Sequence, residues 1–320
     1  MKILVTGATG FIGKRLVRRL RGKGCDIVCL VRKESRVEGL EEMGVTLAVG
    51  EITDPEQVNE IFHNEHPGFV FHCAARVRET KEENIYRINV SGTQNISEAC
   101  YRYGVNRLIY LSSVAVVTGN PEIPLVDDLP YKATSVYGRS KIEAEKIVLD
   151  YRRKGLHVAI LRPCMVYGED EPHALDKMFN LVSRRLIPVP GLKRISDKLH
   201  IGYVDNVVYA MELAMEKEGA LEGTFFIADK EVITIRKFLE IVSDELNAER
   251  PFIVPGWIVR LGLLLPPLRN RFNRIYKDRV YDITPARDLL GYNPKISTED
   301  GLRRTARHWM EKKSHSKTSG

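Results

Sequence analysis

The sequence has few cysteines and no pattern among them. Its five cysteines are an odd number, and none stands in a Cys-x-x-Cys or Cys/His arrangement. Neither a disulfide framework nor a zinc site is therefore indicated. We expect no bound metal and reduced thiols, as in a cytoplasmic protein.

Long hydrophobic runs are also missing. The longest apolar stretch, Phe252 to Leu268, contains Arg260 and is shorter than the ~20 residues that a membrane-spanning helix requires. We therefore expect no membrane span, and no signal peptide because Met1-Lys2 leads directly into an apolar strand. We interpret the stretch as a core helix of a smaller lobe. The alternative is a helix lying at a membrane interface, with Trp257 and the basic run that follows it.

The net charge of +7 suits an anionic small ligand or nucleic acid. No recognisable nucleic-acid-binding module accompanies it, and we expect no nucleic-acid partner. A basic stretch late in the chain either clamps a nucleotide diphosphate or is solvated, and both interpretations stay open. Its members are Arg269, Arg271, Arg274, Lys277 and Arg279.

Short apolar runs alternate with segments of helical spacing. The runs, read as buried strands, are Ile3-Val5, Ile27-Val31, Thr46-Val49, Phe69-His72, Arg107-Leu111 and His157-Leu161. The helical segments are Phe11-Arg21, Asp54-His63, Ser91-Tyr103 and Ser140-Arg153. This alternation predicts an α/β fold of the Rossmann type, a doubly wound parallel sheet with helices on both faces.

After Gly168 the pattern becomes irregular and rich in proline, as expected of a smaller mixed α/β lobe. We assign residues 1–167 and about 200–230 to a dinucleotide-binding domain. Residues 168–199 and 231–311 then form a substrate-binding lobe, and 312–320 a frayed tail.

A glycine-rich turn follows the first strand, in the order Thr6-Gly7-Ala8-Thr9-Gly10-Phe11-Ile12-Gly13. Glycines at this spacing permit a tight turn, let backbone N–H groups approach a pyrophosphate and allow close contact between helix and strand. The helix dipole then faces the anion. This strand-turn-helix context predicts a dinucleotide site at Gly7, Thr9, Gly10, Phe11, Ile12 and Gly13.

The end of the second strand lacks the acidic residue that would hold the ribose hydroxyls of NAD. Val31 is followed by Arg32 and Lys33, whose positive charges would bind a phosphate. We predict NADP as the preferred cofactor, with NAD as the alternative. If Arg32 and Lys33 are only solvated loop residues, they do not contact the cofactor.

Tyr137 and Lys141 stand four residues apart and so share one face at the start of a helix. A neighbouring ammonium and an oxidised nicotinamide ring would lower the pKa of the tyrosine, which would then exchange a proton with an alcohol or carbonyl. Tyr137 and Lys141 are our candidate catalytic pair, and Lys141 is also a candidate to bind the nicotinamide ribose.

Several further segments make the chain resemble the extended short-chain dehydrogenases/reductases, the NAD-dependent epimerase/dehydratase group that holds nucleotide-sugar epimerases, 3β-hydroxysteroid dehydrogenases and dihydroflavonol reductases. They are GEITD (Gly50 to Asp54), FHCAA (Phe71 to Ala75), NVSGT (Asn89 to Thr93), LSSVAVV (Leu111 to Val117), LRPCMVYG (Leu161 to Gly168) and YVDN (Tyr203 to Asn206).

The resemblance implies positions around the cofactor. Glu51 and Ile52 would lie beside the adenine, Ala74 and Ala75 beside the pyrophosphate and ribose, and Pro163 to Val166 beside the nicotinamide. Asn89 would order the loop under the cofactor. Family resemblance also suggests a homodimer joined through the helices Ser91-Tyr103 and Ser140-Arg153.

The third catalytic group departs from the nucleotide-sugar pattern, because the position five residues before Gly119 is Val114. Counted from the strand end, as in reductase-like members, the hydroxyl is Ser113, which would polarise the substrate oxygen. Ser112 would satisfy backbone groups beside the cofactor. His72 is interpreted as a hydrogen-bonded core histidine.

The sequence Val114-Ala115-Val116 has no carboxylate to assist elimination of water, which disfavours a dehydratase. We predict an NAD(P)-dependent oxidoreductase that interconverts a secondary alcohol and a ketone. A nucleotide-sugar epimerase with a transient ketone and a retained cofactor is the alternative, and a non-catalytic dinucleotide sensor is less favoured.

Overall fold

The secondary structure follows the predicted alternation of strands and helices. The computed structural model describes residues 2–172, 175–192, 197–221 and 223–318. The strands are β1 (Lys2–Thr6), β2 (Asp26–Val31), β3 (Thr46–Val49), β4 (Phe69–His72), β5 (Arg107–Leu111), β6 (Val158–Pro163), β7 (Met165–Tyr167), β8 (Val189–Gly191), β9 (Lys198–Leu199), β10 (Ile201–Tyr203), β11 (Thr224–Ile227), β12 (Ile233–Thr234) and β13 (Ile253–Pro255). The helices are α1 (Phe11–Gly22), α2 (Glu38–Glu41), α3 (Pro55–Glu65), α4 (Glu82–Tyr86), α5 (Gly92–Arg102), α6 (Val136–Arg153), α7 (Leu175–Ser183), α8 (Val204–Glu216), α9 (Ile235–Glu245), α10 (Gly256–Gly262), α11 (Pro266–Ile275), α12 (Thr284–Leu290) and α13 (Thr298–Thr318).

Seven strands form one parallel sheet, in the order β11-β6-β5-β4-β1-β2-β3. Its first six strands along the chain are the six predicted apolar runs. The prediction of a Rossmann-type sheet is confirmed. The strand order reverses between β1 and β4, and the crevice at their carboxyl ends is the place where such sheets bind ligands.

Alternating side chains of the strands point to the two faces of the sheet. Leu4, Val28 and Leu108 belong to a buried cluster with residues of α3, α5 and α6. Helices α1 and α8 are joined by an ion pair, in which Arg19 Nε lies 2.6 Å from Glu212 Oε2. The strands are apolar on both faces because helices cover both faces of the sheet.

The chain divides into two compact units. The first comprises residues 1–164, 207–227 and 282–293, and the second comprises 165–206, 228–281 and 294–320. The sequence-based boundaries differ mainly at 282–293, which were assigned to the lobe. In the structure α12 packs on β11 of the first unit and buries Ala286 and Leu290. The role of the second unit in substrate binding stays a prediction.

The second unit is a mixed assembly of short strand pairs and helices. β7 pairs with β10 in parallel, β8 with β13 in parallel, and β9 with β12 antiparallel. Asp229 lies buried at its centre and accepts hydrogen bonds from the hydroxyl of Tyr167 (2.9 Å), the backbone N–H of Tyr203 (2.8 Å) and the amide of Asn206 (2.7 Å). The Tyr203–Asn206 motif thus contributes to the internal support of this unit.

Two expectations for the second unit are wrong. The apolar stretch is not a core helix, because α10 has no buried residue. The segment from Lys312 is helical as far as Thr318 rather than frayed, since α13 is held there by the ion pair of Lys312 with Asp170; residues 319–320 lie outside the described part. Among the described residues, no helix is both long enough and apolar enough to cross a membrane.

Candidate active site

A cavity of about 380 Å³ opens at the carboxyl ends of β1, β2 and β4. It is lined by eight predicted cofactor residues, namely Gly7, Thr9, Gly10, Arg32, Glu51, Ile52, Ala74 and Ala75. The sequence did not point to other lining residues, which include Ser35, Arg76 and Arg87. Arg76 directly follows the Ala74-Ala75 pair, and this adjacency was the one local signal that would have found it.

The glycine turn is packed so tightly that only glycine fits. Gly7 has φ = +70°, and a Cβ there would lie 2.7 Å from the backbone nitrogen of Ala74. A Cβ on Gly13 would lie 2.1 Å from the carbonyl oxygen of Gly7. The turn therefore brings the start of α1 against the ends of β1 and β4.

The start of α1 has the features of an anion site. Its N-cap residue, Gly10, makes no side-chain hydrogen bond, and the first turn has no acidic residue. The N–H groups of that turn therefore lack a capping side chain and lie next to the cavity. Thr9 and Gly10 line the cavity, whereas Phe11, Ile12 and Gly13 are not among its lining residues and belong to the helix itself.

Arg32 is half-exposed at the rim, with Nη1 3.3 Å from the carboxylate of Glu34. Both residues line the cavity, together with Ser35. The guanidinium is accessible to a phosphate, and the neighbouring carboxylate is its competitor.

Asn89 holds the loop that forms one wall of the cavity. Its Oδ1 accepts from the backbone N–H of Arg76 (2.7 Å), and its Nδ2 donates to the carbonyl of Arg76 (3.0 Å) and to Ser140 Oγ (2.9 Å). Asn89 lies in a π-helical turn, Arg87–Ser91, an irregularity that is frequent at functional sites. It is buried and not among the cavity-lining residues, so that it positions the wall instead of forming it.

His72 is a satisfied core histidine, as predicted. Its Nδ1 lies 2.7 Å from Thr6 Oγ1 and its Nε2 3.0 Å from Thr93 Oγ1. Burial and the nearby charge of Lys141 lower the pKa of His72 to about 3, so the ring is neutral at physiological pH.

Lys141 is buried in the second turn of α6. Its ammonium donates a 2.7 Å hydrogen bond to the carbonyl of Leu111 and lies 4.2 Å from the ring centre of Tyr110. Burial lowers the pKa of Lys141 to about 7, although the carboxylate of Glu145, one turn further on, opposes that shift. Lys141 therefore loses its proton more readily than a lysine with the ordinary pKa does.

Tyr137 is half-buried in the first turn of α6, one turn before Lys141. Burial raises the pKa of Tyr137 to about 12, and a hydrogen bond with the side chain of Ser113 opposes that rise. The expected lowering of the tyrosine pKa by Lys141 is absent in the protein by itself, because burial raises that pKa and only Ser113 opposes the rise. Tyr137 is consequently protonated at neutral pH.

The two serines after β5 have different surroundings. Ser113 caps a short 3₁₀ turn, Val114–Val116, by accepting from the backbone N–H of Ala115 (3.2 Å), and it also contacts Tyr137. Ser112 Oγ is buried and has no hydrogen-bond partner among the described residues. The expectation that Ser112 satisfies backbone groups is therefore wrong, since its hydroxyl is left unpaired.

A buried ion pair supports α6 and was not found from the sequence. Glu145 accepts from Arg162 Nε (2.9 Å) and Nη2 (2.7 Å) and from the hydroxyl of Tyr131 (2.8 Å). Arg162 also donates to the carbonyl of Asp127. Its partners are up to 35 residues apart in the sequence, and no local pattern predicts such a pairing.

The remaining predicted residues lie at the ends of short elements. Pro163 ends β6 in the first unit, and Val166 lies in β7 of the second. The side chains of Arg271 and Arg274, members of the predicted basic clamp, lie outside the described part of the structure.

The first unit fits a nicotinamide dinucleotide by its own geometry. The glycine cradle has no space for a Cβ, the first turn of α1 has no capping side chain, and Ser112 has an unpaired buried hydroxyl. When bound, such a cofactor supplies or accepts a hydride. Thr9, Gly10 and Arg32 would hold its phosphates, and Lys141 its ribose.

The comparison with known proteins agrees with this geometry. Residues 3–228 match the model of the NAD dependent epimerase/dehydratase family. The chain belongs to that family. The predicted membership, and the predicted class of NAD(P)-dependent dehydrogenase, reductase or epimerase, are confirmed.

Relatives with different activities match almost the whole chain of this family member. A 2-alkyl-3-oxoalkanoate reductase of Stenotrophomonas maltophilia is 30% identical, over 95% of this chain and 98% of that protein. A UDP-glucose 4-epimerase of Vibrio cholerae is 28% identical, over 97% and 95%. The crystal structure of Thermus thermophilus UDP-glucose 4-epimerase in complex with NAD has a TM-score of 0.75 at 25% identity, covering 97% of this chain and 99% of that one.

Proposed function

We propose that the protein is an NADP-preferring oxidoreductase that interconverts a secondary ketone and alcohol. The contact of Ser113 with Tyr137, one turn before the buried Lys141, carries this proposal. A tyrosine that is protonated at neutral pH is suited to give a proton to a carbonyl oxygen, and this favours the reduction.

In the proposed reduction, Tyr137 donates its phenolic proton to the carbonyl oxygen while that carbon receives hydride. The hydroxyl of Ser113 donates a hydrogen bond to the same oxygen and stabilises the charge that develops there. Lys141 stabilises the tyrosinate that remains. In the oxidation, each transfer runs in the opposite direction, and Tyr137 recovers the proton.

The first test replaces the acid. Tyr137→Phe removes the proton while keeping the ring, and we expect a fall in kcat of about 10²- to 10⁴-fold with little change in KM. The assay follows NADPH absorbance with a 2-alkyl-3-oxoalkanoate, the compound class in the name of one relative. Tyr103→Phe, at the residue that follows α5, is the matched control outside the proposed pair. Equal turnover of Tyr137→Phe and the unchanged protein would remove Tyr137 from the mechanism.

The same assay separates the oxidoreductase from the epimerase. A reductase consumes NADPH stoichiometrically and exchanges it freely, whereas an epimerase retains its cofactor and consumes none. Conversion of UDP-glucose to UDP-galactose with a cofactor that survives purification, seen by native mass spectrometry, would replace our proposal by the epimerase.

Arg32 supports the preference for NADP. It lines the cavity at the end of β2, where an acidic residue would repel a ribose phosphate. Arg32→Asp should lower the ratio of NADPH to NADH efficiency by about ten- to a hundredfold, because one charged hydrogen bond is replaced by repulsion. Lys33→Asp makes the same change of charge at a neighbour that does not line the cavity, and its ratio should stay within about threefold. An unchanged ratio in Arg32→Asp would contradict the preference.

We also propose a cytoplasmic homodimer joined through α5 and α6. All five cysteines are free, which suits a reducing compartment, and Tyr101 exposes half of its side chain on α5. Light scattering after size exclusion should give twice the mass of the chain. A monomer at micromolar concentration would refute the dimer.

A further inference from the structure

The second unit exposes an apolar surface around α10 and α11. We call Trp257, Leu261, Leu264, Leu265 and Leu268 the α10–α11 patch; their exposed fractions are 65%, 58%, 74%, 57% and 48%. An isolated exposed leucine is ordinary, but five large apolar side chains within twelve consecutive positions are not. The patch therefore leaves a large apolar area exposed to water, as is typical of a surface that binds a partner.

The segment that carries the patch has charged residues of one sign. Residues 250–277 contain six arginines and lysines and no aspartate or glutamate, and one of the six, Arg250, is paired with Asp244. The side chains of Arg260, Arg269 and Lys277 are exposed, and no ion pair engages them among the residues that the structure describes. An anionic partner would neutralise this cluster.

Apolar and basic side chains together are typical of segments that lie in a bilayer interface. Tryptophan and leucine enter the boundary between headgroups and acyl chains, while arginine and lysine contact the headgroups. A second copy of the chain fits less well, because a symmetric contact through this patch would bring two identical basic clusters together.

We propose that the α10–α11 patch docks the protein on the surface of a bilayer that contains anionic lipid. Docking requires no spanning helix, and it is independent of the reaction proposed above. The apolar side chains provide adhesion, and the basic cluster provides selectivity for negative headgroups.

The test uses the full chain and vesicles of phosphatidylcholine, with and without phosphatidylglycerol. We expect cosedimentation with the mixed vesicles at low salt, little with phosphatidylcholine alone, and release at high salt. Since the chain has two tryptophans, Trp309→Phe leaves Trp257 as the single reporter, and its fluorescence should shift to the blue on binding. Absence of binding to mixed vesicles at low salt would overturn the proposal.

Variants with matched controls assign the binding to the patch. Leu264→Gln with Leu265→Gln should weaken vesicle binding at least about tenfold, whereas Leu289→Gln, at an exposed leucine of the first unit, should not. Arg260→Gln with Arg269→Gln should weaken it about fivefold per charge, while Arg18→Gln with Lys217→Gln keeps the same net charge away from the patch.

Equal losses in the patch variants and their controls would overturn the proposal, with circular dichroism verifying that each variant is folded. A dimer that Leu264→Gln with Leu265→Gln converts to a monomer would show that a second copy covers the patch, and would equally overturn it.

Discussion

Replacing Lys141 by methionine should change how the stability of the protein depends on pH. The ammonium of Lys141 is buried, with one hydrogen bond to Leu111 and the ring of Tyr110 at 4.2 Å as its described partners. Methionine keeps most of the side-chain volume and removes the charge. The variant therefore isolates the energetic cost of burying this amine.

The magnitude follows from the two pKa values. Burial lowers the pKa of Lys141 from 10.5 to about 7, so between these values the unfolded chain binds a proton that the folded chain has released. Stability rises with pH wherever the unfolded state binds more protons. The lysine destabilises the folded protein by about 4 kcal/mol at pH 7 and by about 2 kcal/mol at pH 9.

The expected result is a difference between two pH profiles. Urea unfolding at pH 7 and pH 9 should show that the unchanged protein gains about 2 kcal/mol more than Lys141→Met, because the titrating groups that do not interact with Lys141 cancel in the comparison. Lys146→Met removes an exposed lysine from the same helix and should leave the profile unchanged. Parallel profiles for the unchanged protein and Lys141→Met would refute the lowered pKa and the desolvation argument behind it.

Two further predictions concern the cavity. Gly13→Ala should abolish dinucleotide binding or folding, because its Cβ would lie 2.1 Å from the carbonyl oxygen of Gly7. Gly22→Ala is the control on the same helix, because a Cβ there would have no atom within 4 Å. NADPH titration measures binding and circular dichroism measures folding for both variants. Asn89→Ala should cost about 2 to 4 kcal/mol in urea unfolding, because the N–H and carbonyl of Arg76 lose their partner, and should weaken NADPH binding at least tenfold. Unchanged NADPH affinity in Asn89→Ala would remove its role in positioning the cavity wall.

The parts of the fold that depend on residues close together in the sequence were predictable. β1, the glycine turn and α1 follow from apolar periodicity and glycine spacing, and Tyr137 and Lys141 share a helix face because they are four residues apart. Asn89 and Arg76, or Glu145 and Arg162, pair across the fold. Such pairs depend on which elements become neighbours in the sheet, and a single sequence carries no record of this.

The apolar stretch around α10 shows a second limit. A run such as Trp257 to Leu268 specifies that the side chains avoid water, but not what covers them. A core helix and an interfacial helix satisfy that demand equally, and Arg260 within the run is compatible with both. The absence of any buried residue in α10 leaves the choice of partner to the surrounding charge.

The position of the catalytic hydroxyl illustrates how structure narrows an ambiguous count. The sequence offered Val114 and Ser113 by two ways of counting. Val114 is buried in the 3₁₀ turn, so its position contributes to packing, whereas Ser113 begins that turn half-exposed and contacts Tyr137. In the proposed mechanism, the hydroxyl of Ser113 and the phenol of Tyr137 contact the same substrate oxygen. Ser113→Ala should therefore reduce turnover by itself. In the double variant with Tyr137→Phe, the loss of activation free energy should be smaller than the sum of the two single losses, because both groups act on one oxygen.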